Sequence, residues 1–179
     1  MGRKDRIRIF VTNLSAYVSG CLIGEYVELP VPWDKFQEVL SRIGIDEYHE
    51  EYFISDYDCL FANLYISEHA SITELNELAE KIDCLPDYDY DKLGAVLECE
   101  SSMSIAEILE VIDELDNYDL LTEVHDDAAL GEYFAECGCI FHDVPDHIQR
   151  YFDYESYGRD IRLESNCCYT SYGMVMNNR

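Results

Sequence analysis

The chain is predicted to fold as α+β, as an elongated run of three small modules. Three features predict it: period-two alternation near both ends, two capped amphipathic helical segments in the middle, and carboxylates interleaved with apolar residues instead of gathered in tracts. With 48% hydrophobic and 13% aromatic content, the 179 residues are too apolar for a disordered acidic tail. The expected boundaries are 1–66 for a sheet-plus-helix module, 67–117 for a helical module and 118–179 for a second α+β module.

In the first module Ile7, Ile9 and Val11 alternate with Arg6, Arg8, Phe10 and Thr12, which predicts a strand. A second strand follows Gly20 over 21–29, and Pro30 and Pro32 end it. Trp33, Phe36, Val39, Leu40 and Ile43 then recur at helical spacing, with Gly44 as the C′ residue, and 51–57 returns to a strand-like pattern. In the middle, Ser71-Ile72-Thr73-Glu74 is a capping box opening a helix through Ile82, with Ile72, Leu75, Leu78 and Ile82 on one face. Ser104-Ile105-Ala106-Glu107 repeats the device 33 residues later, on a helix expected to bury Ile105, Ile108, Leu109, Ile112 and Leu115. Two copies fall short of the three that a solenoid needs. The last module is expected to open with a strand over 118–124 and continue as a helix over 127–137, between Asp126 as N-cap and Gly138 as C′. Pro145 opens another helix, and strands are expected over 159–164 and 168–176.

Charge bounds the function. Residues 43–149 carry 29 carboxylates against two basic residues, Lys81 and Lys92, a net of −27 in a chain whose total is −26. Self-repulsion on this scale opposes compaction, and it persists where a negative field is itself useful. Duplex DNA bears one charge per ~1.7 Å of axis, so such a segment matches roughly 46 Å of double helix. Glu107, Glu110 and Glu114 follow i, i+3, i+7 with Asp113 beside them, and no Lys or Arg lies between Lys92 and Arg150. Like-charge neighbours of this kind each cost about 0.2–0.5 kcal/mol, a cost that an ordinary solvated helix face relieves with lysines. The missing counter-charges favour a functional surface. Its expected members are Asp46, Glu47, Glu50, Glu51, Asp56 and Asp58; then Glu74, Glu77, Glu80, Asp87, Asp89 and Asp91; then Glu107, Glu110, Asp113, Glu114 and Asp116; and finally Asp119, Glu123, Asp126, Asp127, Glu132 and Glu136.

Other chemistries find little footing. Eight cysteines without an export signal are expected to stay reduced. Cys137, Cys139, Cys167 and Cys168 lack zinc-knuckle spacing. Asp87, Asp89, Asp91 and Glu98 match EF-hand positions 1, 3, 5 and 12, but Lys92 stands where the turn needs Gly and Pro86 spoils the entering helix. The five histidines form no H-E-x-x-H, and neither G-x-S-x-G nor a Gly-rich phosphate loop occurs. No enzyme, metal or cofactor is expected. No apolar run approaches the ~20 residues of a membrane span, so the expected place is the cytoplasm. Arg3, Lys4, Arg6 and Arg8 suggest a nucleic-acid arm, but the polyanion behind them would repel phosphates, so an internal or intersubunit counter-charge is the better expectation.

The segments IFVTNLSAYVSGCLIGEYVELP, EYFISDYD, SITELNELAEKI and above all VPDHIQRYFDYESYGRDI make the chain resemble the ArdA antirestriction family, carried on conjugative plasmids and transposons. Asn13, Leu14, Gly20, Gly24, Asp56, Tyr57, Tyr151, Asp153, Tyr157, Gly158, Arg159 and Asp160 stand at positions that align with the family pattern. The basic N-terminal extension, the cysteine-rich tail and the longer middle depart from it. The resemblance implies an elongated three-domain homodimer that mimics bent B-form DNA in the groove of type I restriction–modification enzymes, with no nucleic acid or membrane as partner. It implies dimerisation by the C-terminal module; the uncharged Tyr133, Phe134, Tyr151, Phe152, Tyr154 and Tyr157 are expected mostly to build that module's core, with Tyr151, Phe152, Tyr154 and Tyr157 as the candidate dimer contacts. A competing reading is an acidic adaptor or chaperone for another basic DNA-binding protein. A calcium buffer is a third.

Overall fold

A computed structural model describes residues 7–46, 51–59, 61–100, 102–138, 140–142 and 144–178. In chain order the elements begin with β1 (Arg8–Asn13), α1 (Leu14–Val18), β2 (Gly24–Glu28), α2 (Trp33–Arg42) and β3 (Tyr52–Asp58). There follow α3 (Ile72–Cys84), α4 (Asp87–Cys99), α5 (Ile105–Asp113), a 3₁₀ turn (Leu115–Asn117) and β4 (Tyr118–Leu121). The chain ends with α6 (Asp127–Cys137), α7 (Asp146–Gln149), α8 (Tyr154–Glu164), β5 (Cys167–Thr170) and β6 (Gly173–Asn177). The strands form two three-stranded antiparallel sheets, and the fold is α+β. Contacts divide the chain into two compact units, 1–86 with 102–113, and 87–101 with 114–179. The segment 67–117 thus gives α3 and α5 to the first unit and α4 to the second.

The first unit is built on the strand order β2-β1-β3. Ile9, Val11, Val27 and Ile54 point inward and are almost wholly buried, alongside Phe36 and Val39 of α2. Register shifts between Phe10 and Val11, so that Phe10 faces Asp56 while Val11 faces Ile54. Ser55 is the extra residue of a bulge, and its hydroxyl meets that of Thr12 at 2.6 Å. The bulge keeps Asp56 and Asp58 on the outer face while Phe53 and Ile54 are both buried, a combination that strict alternation forbids. Asn13 accepts from the Ala16 amide at 2.9 Å, capping α1, and donates to the Ile43 and Gly44 carbonyls at 3.0 and 3.1 Å. A buried amide is tolerated because it is satisfied on both ends. Gly44 takes φ +80° just past α2, as a C′ glycine should.

Helices α3 and α5 pack together. Leu75, Leu78 and Ile108 are 0% exposed, and full burial of such a side chain is worth about 1.5–3 kcal/mol. The two capping boxes differ in outcome. Ser104 and Glu107 form theirs, the Ser104 amide donating to the Glu107 carboxylate at 2.7 Å and the Glu107 amide to the Ser104 hydroxyl at 3.3 Å. Ser71 stands at the N-cap of α3 without a side-chain capping bond. On α5 the buried face is Ile105, Ile108 and Val111, whereas Leu109 and Ile112 are only half-buried.

In the second unit the order is β4-β6-β5, with α4 packed on the sheet. The stretch with calcium-loop spacing is the first turn and body of α4, and Lys92 is buried there with Leu93, Ala95, Val96 and Leu97. Residues 168–176 are a hairpin of β5 and β6 rather than one strand. The strand expected over 159–164 is the second half of helix α8. Asp153 caps that helix by accepting from the Ser156 amide at 3.0 Å, and Gly158 lies against α6. The alternation misleads because Ile161 packs toward α6, with Gly158 one helical turn before it, while Leu163, its same-face neighbour on a pleat, is 70% exposed. Gly138 ends α6 with φ −76°, so it does not take the left-handed C′ conformation expected. Cys99 of α4 and Cys168 of β5 are brought together on this sheet, with Cα atoms 6.1 Å apart.

Candidate carboxylate surface

On the outer face of the first sheet, cross-strand rows run Glu28–Arg8–Asp58 and Tyr26–Phe10–Asp56. Arg8 pairs with Asp58, and its guanidinium lies 5.5 Å from the Tyr26 ring centre. The carboxylate of Asp58 holds the Arg8 charge firmly in place, raising its already high pKa. The Tyr26 hydroxyl donates to Asp56 at 2.7 Å, and that bond raises the tyrosine pKa. Arg8 and Tyr26 were not among the expected site residues, although alternation about Ile9 and Val27 places both on this face. Asp46 and Glu51 are exposed beside the same unit, and Glu47 and Glu50 lie outside the described residues.

Burying the apolar stripes of α3 and α5 turns their carboxylates outward. Glu74, Glu77 and Glu80 are exposed on α3, and Glu107, Glu110 and Asp113 on α5. The structure therefore brings the two acidic segments together as rows on neighbouring helices. Lys81 lies between them, paired with Asp113 and 4.0 Å from Glu77. Hydrogen bonds from the Ser104 amide and hydroxyl hold the Glu107 carboxyl below its ordinary pKa. Among the described residues no hydrogen bond or ion pair engages the carboxylates of Glu74, Glu80 or Glu110.

In the second unit Asp87, Asp91, Glu114, Asp116, Asp119, Glu123, Asp126, Glu132 and Glu136 are exposed. Some also hold structure: Asp126 caps α6 through the Ala129 amide at 2.8 Å, and Asp119 accepts from Asn178 at 2.7 Å. Asp89 is half-buried, 3.7 Å from the Lys92 ammonium. Asp127 is half-buried as well and belongs to an internal network described below. Of the aromatic candidates only Tyr151 is strongly exposed, at 86%. Phe152 meets Phe141, Tyr154 and Tyr157 edge-on at 5.0, 5.0 and 5.4 Å, so these three candidates build an aromatic cluster within the unit.

A family model described as antirestriction protein (ArdA) matches residues 9–176 of the 179. The chain belongs to the ArdA antirestriction family. No curated protein matches it. The match opens at the central strand of the first sheet and closes in β6, so both units of this ArdA chain fall within it, and its function is antirestriction. Among the described residues no three or more His, Cys, Asp or Glu side chains are grouped to hold a metal ion, and no helix is long and apolar enough to cross a membrane.

The ArdA match also takes in Asp127, Arg162 and Tyr169. Arg162 grips the Asp127 carboxylate with two bonds of 2.7 and 3.1 Å, and the Tyr169 hydroxyl donates a third at 2.7 Å. Arg162 first, then Tyr169, hold the Asp127 carboxyl below its ordinary value of 3.8. Burial, reinforced by the bond to Asp127, pushes the Tyr169 hydroxyl far above the usual tyrosine range. A carboxyl depressed on folding stabilises at pH above its unfolded value and loses that contribution as pH falls through the lower folded value. Asp127→Asn is therefore expected to lower the melting temperature near neutrality. The gap from wild type should close as the solution is acidified below 3.8. Thermal melts across that range check it, and equal melting at neutral pH would show that the network contributes nothing.

Proposed function

We propose that this ArdA protein blocks type I restriction–modification enzymes by filling their DNA groove with carboxylates held where DNA would place phosphates. One observation carries the reading. Apart from Asp89 and Asp127, every described member of the expected carboxylate set is exposed, while Lys81 and Lys92, the two cations of the acidic stretch, turn toward protein. The outward potential is then almost purely anionic, and it is mounted on helices and a strand whose apolar faces fix its geometry. Phosphate contacts position a nucleic acid without carrying base information. A mimic of the backbone alone can therefore stop enzymes with different target sequences.

The deciding experiment challenges a type I methyltransferase core, bound to labelled DNA, with this protein. Displacement is expected whatever the recognition sequence, and inhibition confined to one specificity subunit would count against the proposal. The complex should weaken steeply between low and moderate salt, because counterion release and unscreened attraction drive it. A flat salt response points to an apolar interface instead, and release by simple basic peptides would favour an acidic adaptor.

The protein is proposed to act in the cytoplasm as a homodimer joined through its C-terminal module, 118–179. Copies of a chain at −26 repel one another, so they must meet where charge is low. Ile140, Phe141, Val144, Ile148, Tyr151 and Phe152 line a groove in the second unit whose described lining carries no charged side chain, with Tyr151 at its exposed margin. Tyr151→Asp is expected to shift the protein toward monomer in sedimentation, and an unchanged dimer would remove this groove from consideration.

A further inference from the structure

In a segment with so few cations, the position of each one carries information. Lys92 is buried; its ammonium donates to the Leu115 carbonyl at 3.2 Å and lies 5.1 Å from the Tyr88 ring centre, which ties α4 to the 3₁₀ turn. Lys81 is placed differently. It leaves α3 on the border between the apolar and acidic faces, its side chain only 27% exposed, and reaches across to Asp113 on α5 while remaining 4.0 Å from Glu77 on its own helix. One cation thus stands between two rows of carboxylates on packed helices.

We infer that Lys81 is a positioning residue for DNA mimicry: it sets the spacing between the row Glu74, Glu77, Glu80 and the row Glu107, Glu110, Asp113. The inference rests on the reading that these carboxylates replace phosphates. Two anionic rows on packed helices repel across the gap between them, and the side chains that carry them can splay apart. An ammonium bonded to Asp113 of one row and 4.0 Å from Glu77 of the other opposes that splay. A groove built for a duplex meets phosphates at fixed separations, so it responds to the spacing of charges as well as to their number.

Charge counting and positioning give opposite signs, which makes the inference testable. Lys81→Gln makes the surface more anionic, so charge alone predicts tighter binding to a basic groove. Positioning predicts weaker binding, by about threefold on the scale of an exposed ion pair. Lys81→Arg keeps both the charge and the reach and should retain wild-type binding. Lys35→Gln is the control, because it loses the same charge from a pair with Glu38 within α2 and should bind as wild type or tighter. The readout is displacement of labelled DNA from the methyltransferase core at fixed salt, with thermal melts showing each variant folded at the assay temperature. Lys81→Gln binding as well as or better than wild type overturns the positioning role, and so does failure of Lys81→Arg to restore binding. Failure of the wild-type protein itself to displace DNA overturns the mimicry reading, and the role of Lys81 with it.

Discussion

Replacing Gly158 with alanine should lower the melting temperature by roughly 5–12 °C, the largest stability effect expected of any one-carbon change in this chain. A Cβ at this position would stand 1.8 Å from the Asp127 carbonyl oxygen and 2.6 Å from the Gly131 amide nitrogen. Gly131 faces the same crossing, where an added Cβ would lie 1.9 Å from the Tyr154 carbonyl oxygen. Helices α6 and α8 thus touch backbone to backbone, and neither obstacle is a side chain that could rotate away. Alanine is favoured over glycine within a helix by about 1 kcal/mol, but that gain is outweighed. Overpacking usually costs about 1–3 kcal/mol, and a clash with rigid backbone belongs at the upper end or beyond. Gly131→Ala should behave similarly, and the double variant should lose less than the sum because both open one crossing. A drop of under about 3 °C would mean that the helices separate freely, and the close crossing would then not be a determinant of the fold.

This crossing also marks the limit of what the sequence makes legible. Strands β1, β2 and β3, helices α2, α3, α5 and α6, and the outward turn of the carboxylates follow from hydrophobic period and capping residues. Those signals are local. The bulge at Ser55 is invisible to them because it depends on which residues of β1 and β3 face each other. Helix α8 was masked when Arg159, Ile161 and Leu163 imitated a strand, although Asp153 and Ser156 carried a capping signal three residues apart. Helix α4 has no capping box or clear apolar period to announce it, and its closely spaced aspartates match calcium-loop spacing, yet acidic residues in a first turn favour a helix N-terminus. Individual roles among the carboxylates were equally hidden. Asp127, Asp126 and Glu123 look alike along the chain, and only folding gives Asp127 to Arg162 and Tyr169, gives Asp126 to the α6 cap and leaves Glu123 exposed.

The largest effect on activity should come from removing charge along α5 and the turn after it, in Glu107→Gln, Glu110→Gln, Asp113→Asn and Glu114→Gln together. Each single change is expected to weaken displacement of DNA modestly, by up to about fivefold, as for an exposed charge pair. The four combined should weaken it by about a hundredfold, because a distributed field has no single hot spot and its losses accumulate. The structure separates the four by their side effects. The Glu110 side chain makes no hydrogen bond or ion pair among the described residues, so its amide should fold as well as wild type or slightly better through relief of like-charge repulsion. Glutamine at 107 can still complete a capping box, but it forfeits the charge on the bonds from Ser104, so a small loss of stability is expected. Asp113→Asn releases Lys81 and should therefore weaken binding more than Glu110→Gln, although each removes one charge. Melting temperatures measured beside DNA displacement separate these contributions. A carboxylate at a discrete catalytic or metal site would behave otherwise, abolishing activity alone while its neighbours stay silent, and that pattern in any of the four would sink the distributed mimic.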